Sequence, residues 1–248
     1  PLINEVLDAG AEDWVVAEVS SFQLETIRSF KPRVAVLLNI APDHLDRYHS
    51  MDEYAEAKYR IFANQNEHDT FVANLDDETL APLHRHSGEA RVRAKQMWFT
   101  LGDDSRHATM YLREGALTYS PVSGDPRPVQ IASRSDIPLA GPHNVQNVMA
   151  ASLAALAAGV EPQALRDGIR SFNPMSHRLQ PIGEVDGVLY VDDSKATNPG
   201  AVIAALRSYD KPIVLIAGGK PKNTDFTELG RIVDERARAV VLLSLIHI

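Results

Sequence analysis

The chain has 248 residues, 44% hydrophobic and 23% charged, a composition that supports one large apolar core or two smaller ones. A formal net charge of -8 with no basic run argues against a general nucleic-acid surface. The absence of cysteine removes disulfides, thiolate metal sites and thiol catalysis, and no apolar run reaches the length of a membrane span. A cytoplasmic protein with no nucleic-acid or membrane partner is therefore expected.

Pro1 to Leu7 begins directly in an amphipathic helical pattern with no strand before it, so the chain reads as cut at this end. Trp14-Val15-Val16-Ala17 predicts a buried strand over 14–19 that runs into Glu18-Val19-Ser20-Ser21-Phe22-Gln23-Leu24-Glu25. A second strand is predicted over 34–40, ending in Asp43-His44-Leu45-Asp46. Ser50 as N-cap and Glu53 as its capping-box partner predict a helix over 51–66. A strand over 70–74 and a helix over 76–83 continue the β-α alternation of a parallel sheet. From about 92 to 131 short runs separated by Glu114-Gly115 predict an antiparallel extension. Gly141-Pro142-His143 opens a long helix over 143–158, and Val160-Glu161-Pro162 opens another.

Phe172-Asn173-Pro174-Met175-Ser176-His177 reads as a link between domains. Beyond it the alternation restarts, with strands over 188–191, 213–216 and 239–243 and helices over 199–208 and 226–236. The tail Ser244-Leu245-Ile246-His247-Ile248 has neither turn signal nor cap and reads as a truncation scar.

Chemistry-bearing residues recur at strand ends, where open α/β sheets bind their ligands. Glu18 and Ser20 offer hard oxygen donors that suit magnesium and phosphate, or else a polar turn leaving the core. His44 reads either as a metal ligand or base, or as an ordinary surface histidine. Lys58 shares a helix face with Tyr54, Ala55, Ile61 and Phe62, so it either snorkels or is held neutral for chemistry. Asn144 and Asn147 lie one turn apart at a helix start, placed to meet a purine or phosphate, although a cap would need only one of them. Ser176-His177-Arg178 sits at the link, and Asp192-Asp193-Ser194-Lys195-Ala196-Thr197-Asn198 crowds acids, a lysine, hydroxyls and an amide before a helix. Gly218-Gly219-Lys220-Pro221-Lys222 repeats the arrangement after the next strand. The glycine-rich phosphate loop ending in Gly-Lys-Ser or Gly-Lys-Thr does not occur in the sequence.

The ordered set EVSSFQLE, NIAPDHLDRY, EAKYRIF, GPHNVQN, SHRLQ, DDSKATNPGA and AGGKPKNTDF resembles the Mur ligases, from the first residues to about Leu243. EVSSFQLE points to the D-glutamate-adding branch. The resemblance implies an α/β fold: a parallel-sheet central ATPase domain with an antiparallel extension, over 1–175, then part of a Rossmann-like C-terminal domain, over 176–248. It implies a monomeric enzyme that uses ATP and two Mg2+ ions to join D-glutamate to UDP-N-acetylmuramoyl-L-alanine through an acyl phosphate. Glu18 and His44 would each hold a magnesium ion, and Lys58, carbamylated, would become a further carboxylate-like ligand. Ser20 would face the muramoyl substrate, and Asn144, Asn147, Arg178 and Asp193 would hold ATP. Lys195 and Thr197 would sit between ATP and substrate, and Lys222 would approach D-glutamate; His44, Lys58 and Lys195 would carry the chemistry. The piece alone is expected to be inactive. Another Mur ligase, a folylpolyglutamate synthase or a non-catalytic nucleotide-binding module remain alternatives.

Overall fold

The computed structural model describes residues 8–42, 47–85, 91–121, 127–219 and 225–243. The expected helix at the first residues, the Asp43–Asp46 loop, Lys220–Thr224 and the final tail lie outside them. Ser20 caps a short helix, α1 (Ser21–Glu25), and the apolar run Val34–Leu37 forms strand β1, shorter than the expected 34–40. Ser50 opens helix α2 (Met51–Tyr59) by accepting the Glu53 N–H at 3.1 Å. The Glu53 carboxylate turns instead to the His49 N–H at 2.7 Å, so the capping box is half made. Helix α2 tightens into a 3-10 turn at Arg60–Phe62 and does not run on to 66.

Strand β2 (Thr70–Asn74) follows, then helix α3 (Ala81–Arg85). This helix starts later than the expected 76–83 because the Asp77 carboxylate caps the preceding turn, accepting the Thr79 and Leu80 N–H groups at 2.9 Å each. Strands β3 (Lys95–Thr100), β4 (Met110–Arg113), β5 (Ala116–Tyr119) and β6 (Val129–Ser133) complete a six-stranded sheet in sequence order. Pairings β1–β2, β2–β3 and β3–β4 are parallel; β4–β5 and β5–β6 are antiparallel. The antiparallel extension thus begins at β4, not at 92, and β3 belongs to the parallel core. The change of direction is set at Glu114-Gly115, whose φ of 50° and 73° match a tight hairpin turn.

Helix α4 (Pro142–Ala157) crosses one face of this sheet beside helix α5 (Pro162–Ser171), and α2 covers the other. Alternation along β2 feeds both sides. Phe71 and Ala73 join α2's Tyr54 and Ala55 in one core, while Val72 joins α4's Val145, Met149 and Leu153 in the other. All three β2 residues are fully buried, as the middle of a doubly covered parallel sheet requires.

The expected strand at 14–19 does not form. Trp14, Val15 and Val16 are 52%, 41% and 97% exposed. An apolar run becomes a buried strand only with ladder partners and cover on both faces, and the described residues supply neither here.

Beyond the link, strands β7 (Gln180–Val185) and β8 (Val188–Asp192) form an antiparallel hairpin. The sequence reading missed β7. Its residues are almost all exposed, so no apolar alternation marks it, and Pro181 argues against a strand. The usable signal was Asp186-Gly187, whose φ of 49° and 77° make the hairpin turn. Helix α6 (Pro199–Leu206), strand β9 (Ile213–Gly218), helix α7 (Thr227–Arg236) and strand β10 (Ala237–Leu243) follow, with β9 and β10 parallel. Ile203, Leu206 and Ile232 form a small core under one face of that pair.

Candidate functional site

Three groups of predicted residues can be located. The first surrounds α1. Ser20 Oγ accepts the Gln23 N–H at 3.3 Å, and Gln23 Oε1 accepts the Ser20 N–H at 2.8 Å, a closed capping box. Glu18 lies two residues before this cap, exposed and in no strand, so it is not the strand-end carboxylate that was expected. Glu25 at the other end of α1 accepts Arg47 at 2.6 Å and the Tyr48 hydroxyl at 2.6 Å; the Arg47 bond, then that of Tyr48, holds its carboxyl below the usual range. Tyr48 packs 5.1 Å from Tyr54, and the half-buried Lys58 ammonium lies 4.9 Å over the Tyr54 ring. Lys58 is therefore linked to α1 by a run of rings rather than extended into water. Arg60 completes the attachment, donating to the Leu24 and Ile27 carbonyls at 2.7 and 2.8 Å.

The second group is the first turn of α4. Asn144 Nδ2 donates to the Ala140 carbonyl at 2.7 Å, while its Oδ1 accepts from Asn147 Nδ2 at 3.3 Å. Gly141 caps the helix at φ 87°, and a Cβ there would stand 2.2 Å from Ser208 Oγ, so only glycine fits. His143 Nδ1 is buried with no hydrogen-bond partner among the described residues, and burial pushes the imidazole's pKa down against an opposing pull from Asp193.

The third group lies at the open end of the β7–β8 hairpin. Lys195 N–H donates to the His177 carbonyl at 3.1 Å, Leu179 N–H donates to Asp193 Oδ1 at 3.0 Å, and His177 Nδ1 lies 2.7 Å from Asp192 Oδ2. The His177 contact, followed by the bonds from Ser194, lowers the Asp192 pKa to about 2. His177 and Leu179 carry φ of 66° and 43°, so the segment holding Arg178 is bent through the left-handed region. Arg178, Asp193 and Lys195 are thereby gathered on two facing loops. Thr197 lies one residue before Asn198, whose Oδ1 caps α6 by accepting the Ala201 N–H at 2.9 Å. The head of the second group, Gly141, lies against Ser208, and the Asp193 charge opposes the effect of burial on His143, although these residues are far apart in sequence.

His44 and Lys222 fall outside the described residues. Among the described residues no group of three or more His, Cys, Asp or Glu gathers as a metal site. Sequence reasoning also passed over Asp76 and Asp77, which come one residue after the end of β2. Asp77 Oδ2 accepts the Ile40 N–H at 2.9 Å, and Asp76 Oδ2 accepts from Leu101 N–H at 2.9 Å and Gln146 Nε2 at 3.0 Å. Their position at a strand end was the signal that could have found them.

Two family models match the chain: the Mur ligase middle domain over residues 2–155, and the Mur ligase, glutamate ligase domain over residues 177–245. A protein named UDP-N-acetylmuramoylalanine--D-glutamate ligase in Pelotomaculum thermopropionicum is 46% identical over 244 residues, covering 98% of this chain and 51% of the relative. One of the same name in Koribacter versatilis is 41% identical over 240 residues, covering 97% and 51%. The chain thus spans about half the length of the curated relatives it matches. Among solved structures, MurF from Acinetobacter baumannii superposes with a TM-score of 0.65 at 23% identity, covering 86% of this chain and 47% of that one. The apo form of FPGS from L. casei superposes at 0.60 with 19% identity, covering 87% and 50%; at such identities both speak for the fold alone.

Proposed function

The chain belongs to the Mur ligase family, and on that premise we propose that it is the middle and C-terminal part of an ATP-dependent ligase joining D-glutamate to UDP-N-acetylmuramoyl-L-alanine. The family models lie on either side of the 175/176 division proposed between its two domains. The name shared by two relatives, at 46% and 41% identity, supports the choice of amino acid.

The observation that carries the reading is the junction at His143. His143 Nδ1 is buried without a partner among the described residues, at the helix start that also carries Asn144 and Asn147, and that start lies against Ser208 of the C-terminal part. A buried orphan acceptor or donor beside two amides and a helix start suits a nucleotide. In the proposed reaction the alanyl carboxylate takes the γ-phosphoryl group of ATP, the bond to ADP breaks and an acyl phosphate forms. The D-glutamate amine then attacks the acyl carbon, the C–N bond forms, phosphate leaves and the amine sheds its proton.

Each proposed residue has work that its chemistry permits. Arg178 and Lys195 offset the charge of phosphates and carboxylates brought into one place. Ser20 and Thr197 offer hydroxyls to the substrate, and Lys222 offers a cation to D-glutamate. Glu18, His44 and a carbamylated Lys58 would hold two magnesium ions, which supply further charge neutralisation when bound. Glu18 suits this as a hard oxygen donor. Lys58 suits it only if carbamylated, because an ammonium cannot ligate a cation. Closure of the two domains would keep water from the acyl phosphate. We place the enzyme in the cytoplasm as a monomer. No helix among the described residues is long and apolar enough to cross a membrane.

The test uses the full-length protein carrying this chain. With ATP, magnesium and UDP-N-acetylmuramoyl-L-alanine, phosphate release should be fastest with D-glutamate among D-glutamate, L-glutamate, L-lysine and diaminopimelate. A preference for any other acceptor overturns the assignment. Calorimetric titration of the 248-residue chain itself with Mg-ATP should show weak binding or none, since the phosphate-loop pattern does not occur in it.

A further inference from the structure

Asp76 does more than end a strand. Its backbone N–H donates to Asn74 Oδ1 at 2.9 Å, which fixes the turn leaving β2. One carboxylate oxygen accepts the Thr100 hydroxyl at the end of β3. The other accepts the Leu101 N–H at 2.9 Å and, 70 residues further along the chain, the Gln146 side-chain amide at 3.0 Å. Asn74 and Thr100 are both buried, so the carboxylate is held on a rigid base. Gln146 stands between Asn144 and Asn147, where the first turn of α4 passes into the second.

A turn at the end of a helix frays unless something outside the helix holds it, because its N–H groups have no partners within it. Gly141 offers no side-chain cap to this helix. The task falls to contacts such as Gln146–Asp76. We propose that Asp76 is a positioning residue: through Gln146 it fixes the first turn of α4, and with it Asn144 and Asn147, against the carboxyl ends of β2 and β3. The role of the two amides in holding a nucleotide rests on the ligase reading above; the latch itself does not.

A charge swap in the full-length protein separates this from a simple loss of stability. Gln146→Glu sets a second carboxylate against Asp76 and should raise hydrogen exchange in the segment 141–148 and weaken Mg-ADP binding about tenfold. Asp76→Asn combined with Gln146→Glu restores one carboxylate and one amide with their roles exchanged, at unchanged net charge. It should return both readouts part of the way toward the parent protein, not wholly, because the amide group now at position 76, facing the carboxylate at 146, can no longer accept the Leu101 N–H. Gln146→Met, which removes the bond without adding charge, should raise exchange in the same segment while the melting temperature holds.

Unchanged exchange in Gln146→Glu and Gln146→Met overturns the proposal. So does a swap variant that folds yet stays as loose and as weakly binding as Gln146→Glu. If the parent protein binds no nucleotide, the ligase reading fails by itself, and the exchange measurements still decide the latch.

Discussion

Asp192 shows how one side chain can hold a loop. The His177 imidazole beside it, then the Ser194 bonds, take its carboxyl from an ordinary 3.8 down to about 2. A folded-state pKa below the unfolded one means that the ionised form is favoured by folding. The contribution is complete above about pH 4 and fades as the pH falls through 3.8 toward 2. Carboxyl-carbon NMR should therefore find Asp192 titrating near 2, and His177→Ala should move its midpoint up toward 3.8. An Asp192 midpoint already at the ordinary value would contradict the pairing. Residue types at strand ends are legible in the sequence: density of function marks Asp193 and Lys195, whereas Arg178 stands out by its place at the link between domains. What the sequence could not reveal was that His177, next to Arg178, is bent to φ 66° so that the two loops zip together. Backbone strain of that kind leaves no mark in the residue alphabet when the residue is not glycine.

Elements with strong local punctuation were readable, and those defined by their neighbours were not. Ser50, Pro142 and Asn198-Pro199 announced their helices because caps and first-turn prolines act within a few residues. The parallel strand β3 was merged into the hairpin region because pairing direction depends on where the previous strand lies. Helix α1 lies between these cases. At five residues it is too short to stand alone, and its capping box accounts for only one end. The other end is held by Arg60, whose guanidinium reaches the Leu24 and Ile27 carbonyls together. Arg60→Ala should destabilise the full-length protein by about 1–2 kcal/mol in urea unfolding, near the lower range for bonds to a charged donor because the group is partly solvated. Arg60→Lys should recover only part of that, since a point charge cannot span two carbonyls as the planar fork does. Equal stability of the lysine variant and the parent would show that charge alone suffices.

At the scale of the whole molecule, the two ends of the described chain differ in how they treat apolar surface. The six-stranded sheet carries apolar cores on both faces, and Phe71, Val72 and Ala73 of β2 are fully buried between them. The β9–β10 pair is covered on one face only. Val214 and Ile216 on β9 are 57% and 61% exposed, and Val241 on β10, in register with Ile216, is 46% exposed. Alternation makes the pattern unambiguous on β9, where Ile213 and Leu215 turn inward against Leu229 and Val233. A contiguous bare face of this kind on a two-stranded sheet invites contact with other apolar surface. The 248-residue chain taken alone should accordingly bind the dye ANS and sediment as a concentration-dependent mixture. Val214→Thr with Ile216→Thr should cut the dye signal and the association together. Because neither side chain reaches the small core, chain stability should change by less than about 0.5 kcal/mol per site. Loss of folding in that variant would mean that the exposed positions already carry packing. Unaltered dye binding would move the sticky surface elsewhere, to the β7–β8 hairpin, where Ile182, Val185 and Val188 are 64%, 59% and 55% exposed, or to Trp14 and Val16.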